Sequence, residues 1–278
     1  MVRVELTNVC NLRCEMCPQS LDYQSEKRFI DPDLFRKIVE QVSPYKRGST
    51  FCFHISGEPL LHKDLPTFIN LAEEHGFKTK LVTNATLLDR DKRSELLGTK
   101  LRDIVFSFEG FEKEEYERLR VGADYDKTWN YILSFLEENK SRRVGTELRL
   151  VMVPGTDLTK MREYAHREKH RFDHVLLSGY SDLLGKMSSL GKKSRYRGCK
   201  VLNGDVNILS NGNVIPCCMD VSGELAFGNM ATQSYKEILS SPERQLLARR
   251  LRTGDVSTLI CSKCAHAFGY NRPSEFIK

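Results

Sequence analysis

Residues 2–21 read VRVELTNVCNLRCEMCPQSL, a short alternating run that leads into three cysteines within eight residues. The alternation over residues 2–7 predicts a strand, so Cys10, Cys14 and Cys17 fall on the loop that leaves its carboxyl end. Three thiolates on one loop can fill three corners of a metal site. The fourth corner is then either a distant Cys or His completing a zinc site, or an open iron of a cluster.

Outward from that loop, strand-like and helix-like runs alternate as far as about residue 180. Strands are predicted at 2–7, 51–56, 78–83, 103–108, 147–153 and 174–179. Asp31 before Pro32 opens a helix over DPDLFRKIVEQV, Asp64 opens DLPTFINLAEEHG with Gly76 at its end, and Asp126 opens DKTWNYILSFLEENK. Six strand–helix repeats joined by right-handed crossovers imply an α/β fold whose parallel sheet is open or partly closed into a barrel. Ligands of such sheets sit at the carboxyl ends of the strands, where the cysteine loop lies.

The pattern breaks at 183–198, where Gly, Ser and Lys predict a linker, and the expected division is 1–183 and 184–278. Beyond it, DVNILSNGNVIPCCMD alternates around Asn211-Gly212 and predicts a hairpin. One helix is expected at roughly 233–250, before CSKCAHAFGYNRP.

A chain of 278 residues with 40% apolar and 29% charged residues is ordinary for a globular protein. No run approaches the roughly 18 apolar residues of a membrane span, and the N-terminal residues do not read as a secretion signal, so a cytoplasmic location is expected. The formal charge of +6 is dispersed, and the basic cluster KKSRYR at 192–197 reads as a solvated linker face. No dedicated nucleic-acid module is recognisable. Nine cysteines in a cytoplasmic chain point to metal or redox chemistry rather than to a disulfide framework.

The second predicted strand ends in SGEPLL, residues 56–61. Together, CNLRCEMCP, SGEP, VTNATLL and FSFEG, spread over residues 2–180, resemble the radical S-adenosylmethionine (SAM) enzymes. The resemblance implies a partial (β/α)6 barrel in which Cys10, Cys14 and Cys17 ligate a [4Fe-4S] cluster and SAM chelates its fourth iron. Reductive cleavage of SAM would then give a 5′-deoxyadenosyl radical that abstracts a substrate hydrogen, with the cofactor doing the demanding chemistry. Glu58 takes the family's Gly-Gly-Glu position and would accept from the SAM amino group, beside Gly57, with Ser56 replacing the first glycine. Met16 stands where an aromatic residue usually packs near adenine, and a thioether can fill that space. Thr83, Asn84, Ser107 and Glu109 match places where the family contacts SAM. Cys52 and His54 share the register of Glu58 if strand 2 continues regularly, which makes them a candidate hydrogen donor and proton acceptor. Arg149 on strand 5 is a third candidate. A flavodoxin- or ferredoxin-type electron donor is also implied.

Cys199, Cys217, Cys261 and Cys264 suit a closed four-thiolate site, either zinc or a second cluster. GNVIPCCMD, FGNM and CSKC resemble the SPASM domain and its shortened twitch version, over about 199–264, which implies one auxiliary [4Fe-4S] cluster. Cys218 is a spare that either replaces Cys217 or packs beneath the hairpin, since adjacent strand residues face opposite ways. A fully ligated cluster is suited to accepting an electron from a substrate radical. The layout is similar to that of twitch-containing dehydrogenases that oxidise a cyclitol alcohol to a ketone. A peptide- or protein-modifying maturase is the alternative, and a non-catalytic iron–sulfur electron carrier is the reading from another class.

Overall fold

The computed structural model describes residues 1–17, 20, 26–153, 155–179, 196–199, 204–268 and 274–277. The linker predicted at 183–198 and the boundary at 183/184 lie almost wholly outside the described residues.

Six strands form the parallel centre: β1 (Val2–Val4), β2 (Thr50–Phe53), β3 (Lys78–Thr83), β4 (Asp103–Phe108), β5 (Gly145–Met152) and β6 (His174–Gly179). Each pairs in parallel with the next, in chain order. Helices α1 (Pro32–Lys46), α2 (Leu65–Glu74), α3 (Arg90–Leu97), α4 (Lys113–Leu119), α5 (Tyr125–Asn139) and α6 (Leu158–Glu168) fill the crossovers. The chain is therefore the α/β fold its sequence predicts, with a mostly parallel sheet.

Local chemistry explains the helix starts. The Asp31 carboxylate accepts from the Asp33 and Leu34 amides at 2.9 and 3.1 Å, with Pro32 needing no partner at the first position. Asp64 precedes α2 without a side-chain cap, and Gly76 turns the chain out of it at φ +83°. α5 departs from expectation: Asp124, not Asp126, caps it by accepting from the Lys127 amide at 2.9 Å. Asp126 lies in the first turn, where a negative charge also suits the helix dipole.

Strands β1 and β2 are shorter than predicted. Past Phe53, the His54 amide bonds back to the Cys52 carbonyl at 3.1 Å, so regular pairing stops there. Phe51 and Phe53 point into the helix layer, where Phe35, Phe68 and Phe77 pack around them. The other face of the sheet carries polar groups: Arg3, Cys52, Lys80 and Asp103 are lateral neighbours on β1 to β4.

The predicted hairpin forms as β7 (Val206–Ile208) and β8 (Val214–Ile215), turning at Gly212 with φ +87°. It is not a separate layer, because β7 pairs in parallel with β1 and extends the sheet. β9 (Glu275–Ile277) adds antiparallel to β6 at the far edge, giving the order β8-β7-β1-β2-β3-β4-β5-β6-β9. The single helix expected at 233–250 is two, α7 (Tyr235–Leu239) and α8 (Pro242–Thr253). The break comes from Pro242, which starts α8 while Ser241 caps it. A short α9 (Ala265–Phe268) follows the last cysteines.

Candidate active site

The cysteine loop is docked on three sides. The Glu58 amide donates to the Val9 carbonyl at 2.8 Å, and the Arg13 and Glu15 amides donate to the Val121 and Leu119 carbonyls at 2.9 and 3.0 Å. Leu12 is buried beneath it. The turn that carries Glu58 comes so close that a Cβ on Gly57 would stand 2.1 Å from the Thr7 carbonyl oxygen, at a φ of +69°. Only glycine fits that approach without displacing backbone.

Glu58 is fully enclosed at the start of this turn. Its Oε1 accepts from the Leu60 amide at 3.0 Å and from the Thr83 hydroxyl at 2.7 Å, and its Oε2 accepts from the Asn84 amide at 2.8 Å. Burial raises its pKa, and these three donors pull it back toward the charged form. A carboxylate has about four acceptor positions, so one remains for a ligand. Asn84 spans toward the loop, donating to Asn11 at 3.1 Å and to the Cys10 sulfur at 3.8 Å. Ala85 follows it in the left-handed region at φ +61°, a strained backbone that turns the strand end here.

Ser56 uses its hydroxyl differently, donating to the Glu5 carboxylate. Glu5 also accepts from the amide and hydroxyl of Ser210, at 3.0 and 2.7 Å, so one buried carboxylate ties the turn to the hairpin. Glu109 is buried in an ion pair with Arg120, a residue without a motif that sequence reasoning missed. Burial alone would lower the Arg120 pKa, but Glu109 and Cys14 outweigh it and raise it, which places this cation beside the cysteine loop. Met16 is partly exposed on the loop, and Ser107 faces the polar side of β4 in register with Arg149.

All nine cysteines are free thiols. Burial pushes Cys14 up to about 12 and Cys10 upward as well, so thiolates form there only when a metal displaces the protons. The donor set, three thiols on one loop with a cation behind Cys14, fits a cluster with one open position. Among the described residues no three Cys, His, Asp or Glu are arranged to hold a single metal ion.

The second set gathers from separated segments. Cys261 senses the charges of Cys199 and Cys264, and Cys217 senses Cys264. Cys218 turns the other way, packing with Ile55, Leu209, Ile215 and Val221 and sensing Arg3. The adjacent thiols thus face different environments.

Cys52, His54 and Arg149 lie apart from the Glu58 network, on the polar face of the sheet. Cys52 is buried against Val82 and Val105, and burial pushes its thiol up to about 11. Arg149 donates to Glu147 Oε1 through Nε and Nη2, at 2.9 and 2.6 Å, while Lys80 bonds the other oxygen at 2.9 Å. Burial disfavours the charged Glu147, but the two cations prevail and hold its pKa low. His54 is held down to about 4 by burial, with Arg149 and Arg3 adding to the effect. Glu147 was missed, although TELRLVM places Glu147 and Arg149 on one face of the strand.

Comparison with known proteins agrees with this geometry. A model described as the Radical SAM superfamily matches residues 4–167, and one described as an iron-sulfur cluster-binding domain, SPASM, matches 199–265. The S-adenosyl-L-methionine-dependent 2-deoxy-scyllo-inosamine dehydrogenase of Niallia circulans is 22% identical over 95% of this chain and 92% of its own length. The crystal structure of BtrN in complex with AdoMet and 2-DOIA superposes with a TM-score of 0.69, at 20% identity over 95% of this chain and 92% of that one. Streptococcus suis SuiB bound to precursor peptide SuiA gives a TM-score of 0.70 at 16% identity, covering 89% of this chain and 66% of that one.

Proposed function

Because the chain belongs to the radical SAM superfamily, whose cofactors are a [4Fe-4S] cluster and SAM, we propose that this oxidoreductase dehydrogenates a sugar- or cyclitol-like alcohol. The observation that carries the reading is the end-to-end match to a SAM-dependent dehydrogenase, spanning both thiol sets. Cys10, Cys14 and Cys17 hold the first cluster, and Cys199, Cys217, Cys261 and Cys264 hold one auxiliary cluster, in domains that divide near 183. Glu58 offers its remaining acceptor position to the SAM amino group, and Arg120 offers a buried cation to the SAM carboxylate. Bound SAM supplies a carbon radical that can remove a hydrogen atom from substrate.

This chain's residues then orient the alcohol on the polar face of the sheet and exclude bulk water. Once the alcohol carbon has given up its hydrogen atom and the hydroxyl its proton, one electron would remain for the auxiliary site, where Cys199, Cys217, Cys261 and Cys264 would leave no open position for substrate. The first electron comes from a flavodoxin- or ferredoxin-type donor in the cytoplasm. Among the described residues no helix is long and apolar enough to cross a membrane.

The likeness to SuiB favours a second reading, a peptide-modifying maturase, in which Cys52 returns a hydrogen atom to a peptide radical. Anaerobic incubation of reconstituted protein, reductant and SAM with aminocyclitols, sugars or candidate peptides separates the two. Loss of two mass units from a small alcohol, matched to 5′-deoxyadenosine, is expected. A peptide whose mass is unchanged in ordinary water but rises by one unit in deuterated water would sink the dehydrogenase in favour of the maturase.

A further inference from the structure

A cavity of about 580 Å³ opens at the amino ends of β1 and β7, at the opposite end of the sheet from the cysteine loop. That volume is in the range of small-molecule sites. The end of α1 forms one wall, and residues 204–206, the hairpin, α7 and the first turn of α8 form the others. Val206, Val214, Phe227 and Ile238, all buried, make an apolar side.

Among the polar groups of the lining, Tyr235 stands out. It is 2% exposed and lies edge-on to Tyr45, with ring centroids 5.2 Å apart. Its amide is fixed by the Gln41 side chain at 2.7 Å, yet its hydroxyl has no hydrogen-bond partner among the described residues. A buried tyrosine ordinarily finds one. Unlike the hydroxyls of Tyr116 and Tyr164, which are sealed in protein, this one opens into the cavity that its ring lines. Burial raises the phenol to about 12 against the pull of Arg244, so it stays a protonated donor.

Arg244 is tied to the end of α7, four residues from Tyr235. It spends only Nη1, on the Leu239 carbonyl at 3.2 Å, and keeps its other donors without a partner among the described residues. Lys46 spends a donor on the Gly204 carbonyl at 2.6 Å and pairs with no carboxylate among the described residues. The one carboxylate of the lining, Asp205, is taken by the Met1 amino group at 3.2 Å and by Arg3 at 2.7 Å. An amine would meet Lys46 and Arg244, and a sugar would leave the apolar side uncovered.

We infer that this cavity binds a small carboxylic acid with an aromatic or branched apolar body, its carboxylate met by Arg244 and the Tyr235 hydroxyl and its body laid on the apolar side. The acid is a free molecule or the C-terminal residue of a peptide, which present the same chemistry. The site is remote from the cysteine loop and independent of the alcohol-oxidation reading.

Calorimetry on the reconstituted protein tests it, with 3-phenylpropionate, N-acetylphenylalanine, the amides of both, and acetate as probes. One acid at least should bind about ten-fold or more tightly than its own amide and than acetate. The preference between the two acids decides the source. Arg244→Gln should remove about ten-fold of the acid affinity. Tyr235→Phe should lower acid affinity about five-fold, leave amide affinity unchanged, and leave the thermal midpoint of the ligand-free protein within about 2 °C. A tyrosine with only a structural role would move the midpoint and not the affinity. Amides that bind as well as their acids, acid affinity indifferent to Tyr235→Phe, or no binding of either acid at millimolar concentration overturns the inference.

Discussion

Cys10, Cys14 and Cys17 come from one loop, whereas Cys199, Cys217, Cys261 and Cys264 are gathered from three separate segments. The loop is positioned by backbone bonds to Glu58, Leu119 and Val121, around a buried Leu12. The second set has no common loop, and its thiols approach one another only once the hairpin, α8 and the segment before α9 have assembled. Metal binding at such a site is coupled to folding of the whole C-terminal part, while the first site needs little beyond one loop and its neighbours. Compact spacing therefore gives a site that survives local disturbance, and dispersed spacing gives one that reports it.

The largest effect should separate the two sets outright. Cys14→Ala is expected to abolish SAM cleavage, whereas Cys217→Ala should lose only the auxiliary iron and keep cleavage of SAM to 5′-deoxyadenosine. Iron analysis and electron paramagnetic resonance read both. Should Cys218→Ala lose the auxiliary iron while Cys217→Ala retains it, the assignment of the two neighbours is reversed.

Next comes the support of the loop. Gly57→Ala puts a methyl into the Thr7 carbonyl at a left-handed φ, and about 4 kcal/mol of stability should go with it. Denaturant unfolding of the reconstituted protein measures this, and a loss below about 1 kcal/mol would mean that the turn does not clamp the loop. Arg120→Gln leaves Glu109 buried without its cation and should cost about 3 kcal/mol. Adding Glu109→Gln should recover part of it, and a double mutant no better than the single would show that the pair is not the reason for the loss.

The smallest effect belongs to Glu15. Its exposed 3.0 Å pair with Arg118 also joins the loop to α4, yet Glu15→Gln should change stability by no more than about 0.5 kcal/mol. A larger change would move weight from backbone docking to surface charge.

Much of this was legible in the chain. Alternation located all six central strands, and Asp31 and Pro32 marked the first helix, because those signals are local. The start of α5 was misplaced by two residues, since Asp124 and Asp126 are both chemically able to cap. The split of the last long helix was written in Ser241-Pro242 and could have been read. Three features could not: the parallel pairing of β7 with β1, the Glu109–Arg120 pair, and which of Cys217 and Cys218 turns toward the other thiols. Each depends on which distant segments meet, and no short spacing encodes that. The Glu58 network lies between, with its motif visible and its donors Thr83 and Asn84 placed only by the neighbouring strand.

The lateral pairing of β7 with β1 also bears on how the protein can be cut or recombined. Val2 and Val4 lie on a strand whose open side is covered by Val206–Ile208. Detaching the C-terminal part would bare that side as an apolar edge with unpaired amides and carbonyls, a template for chain-to-chain association. A version shortened before residue 199 is therefore expected to aggregate, and fusion chimeras should keep residues 205–215 with the core they border.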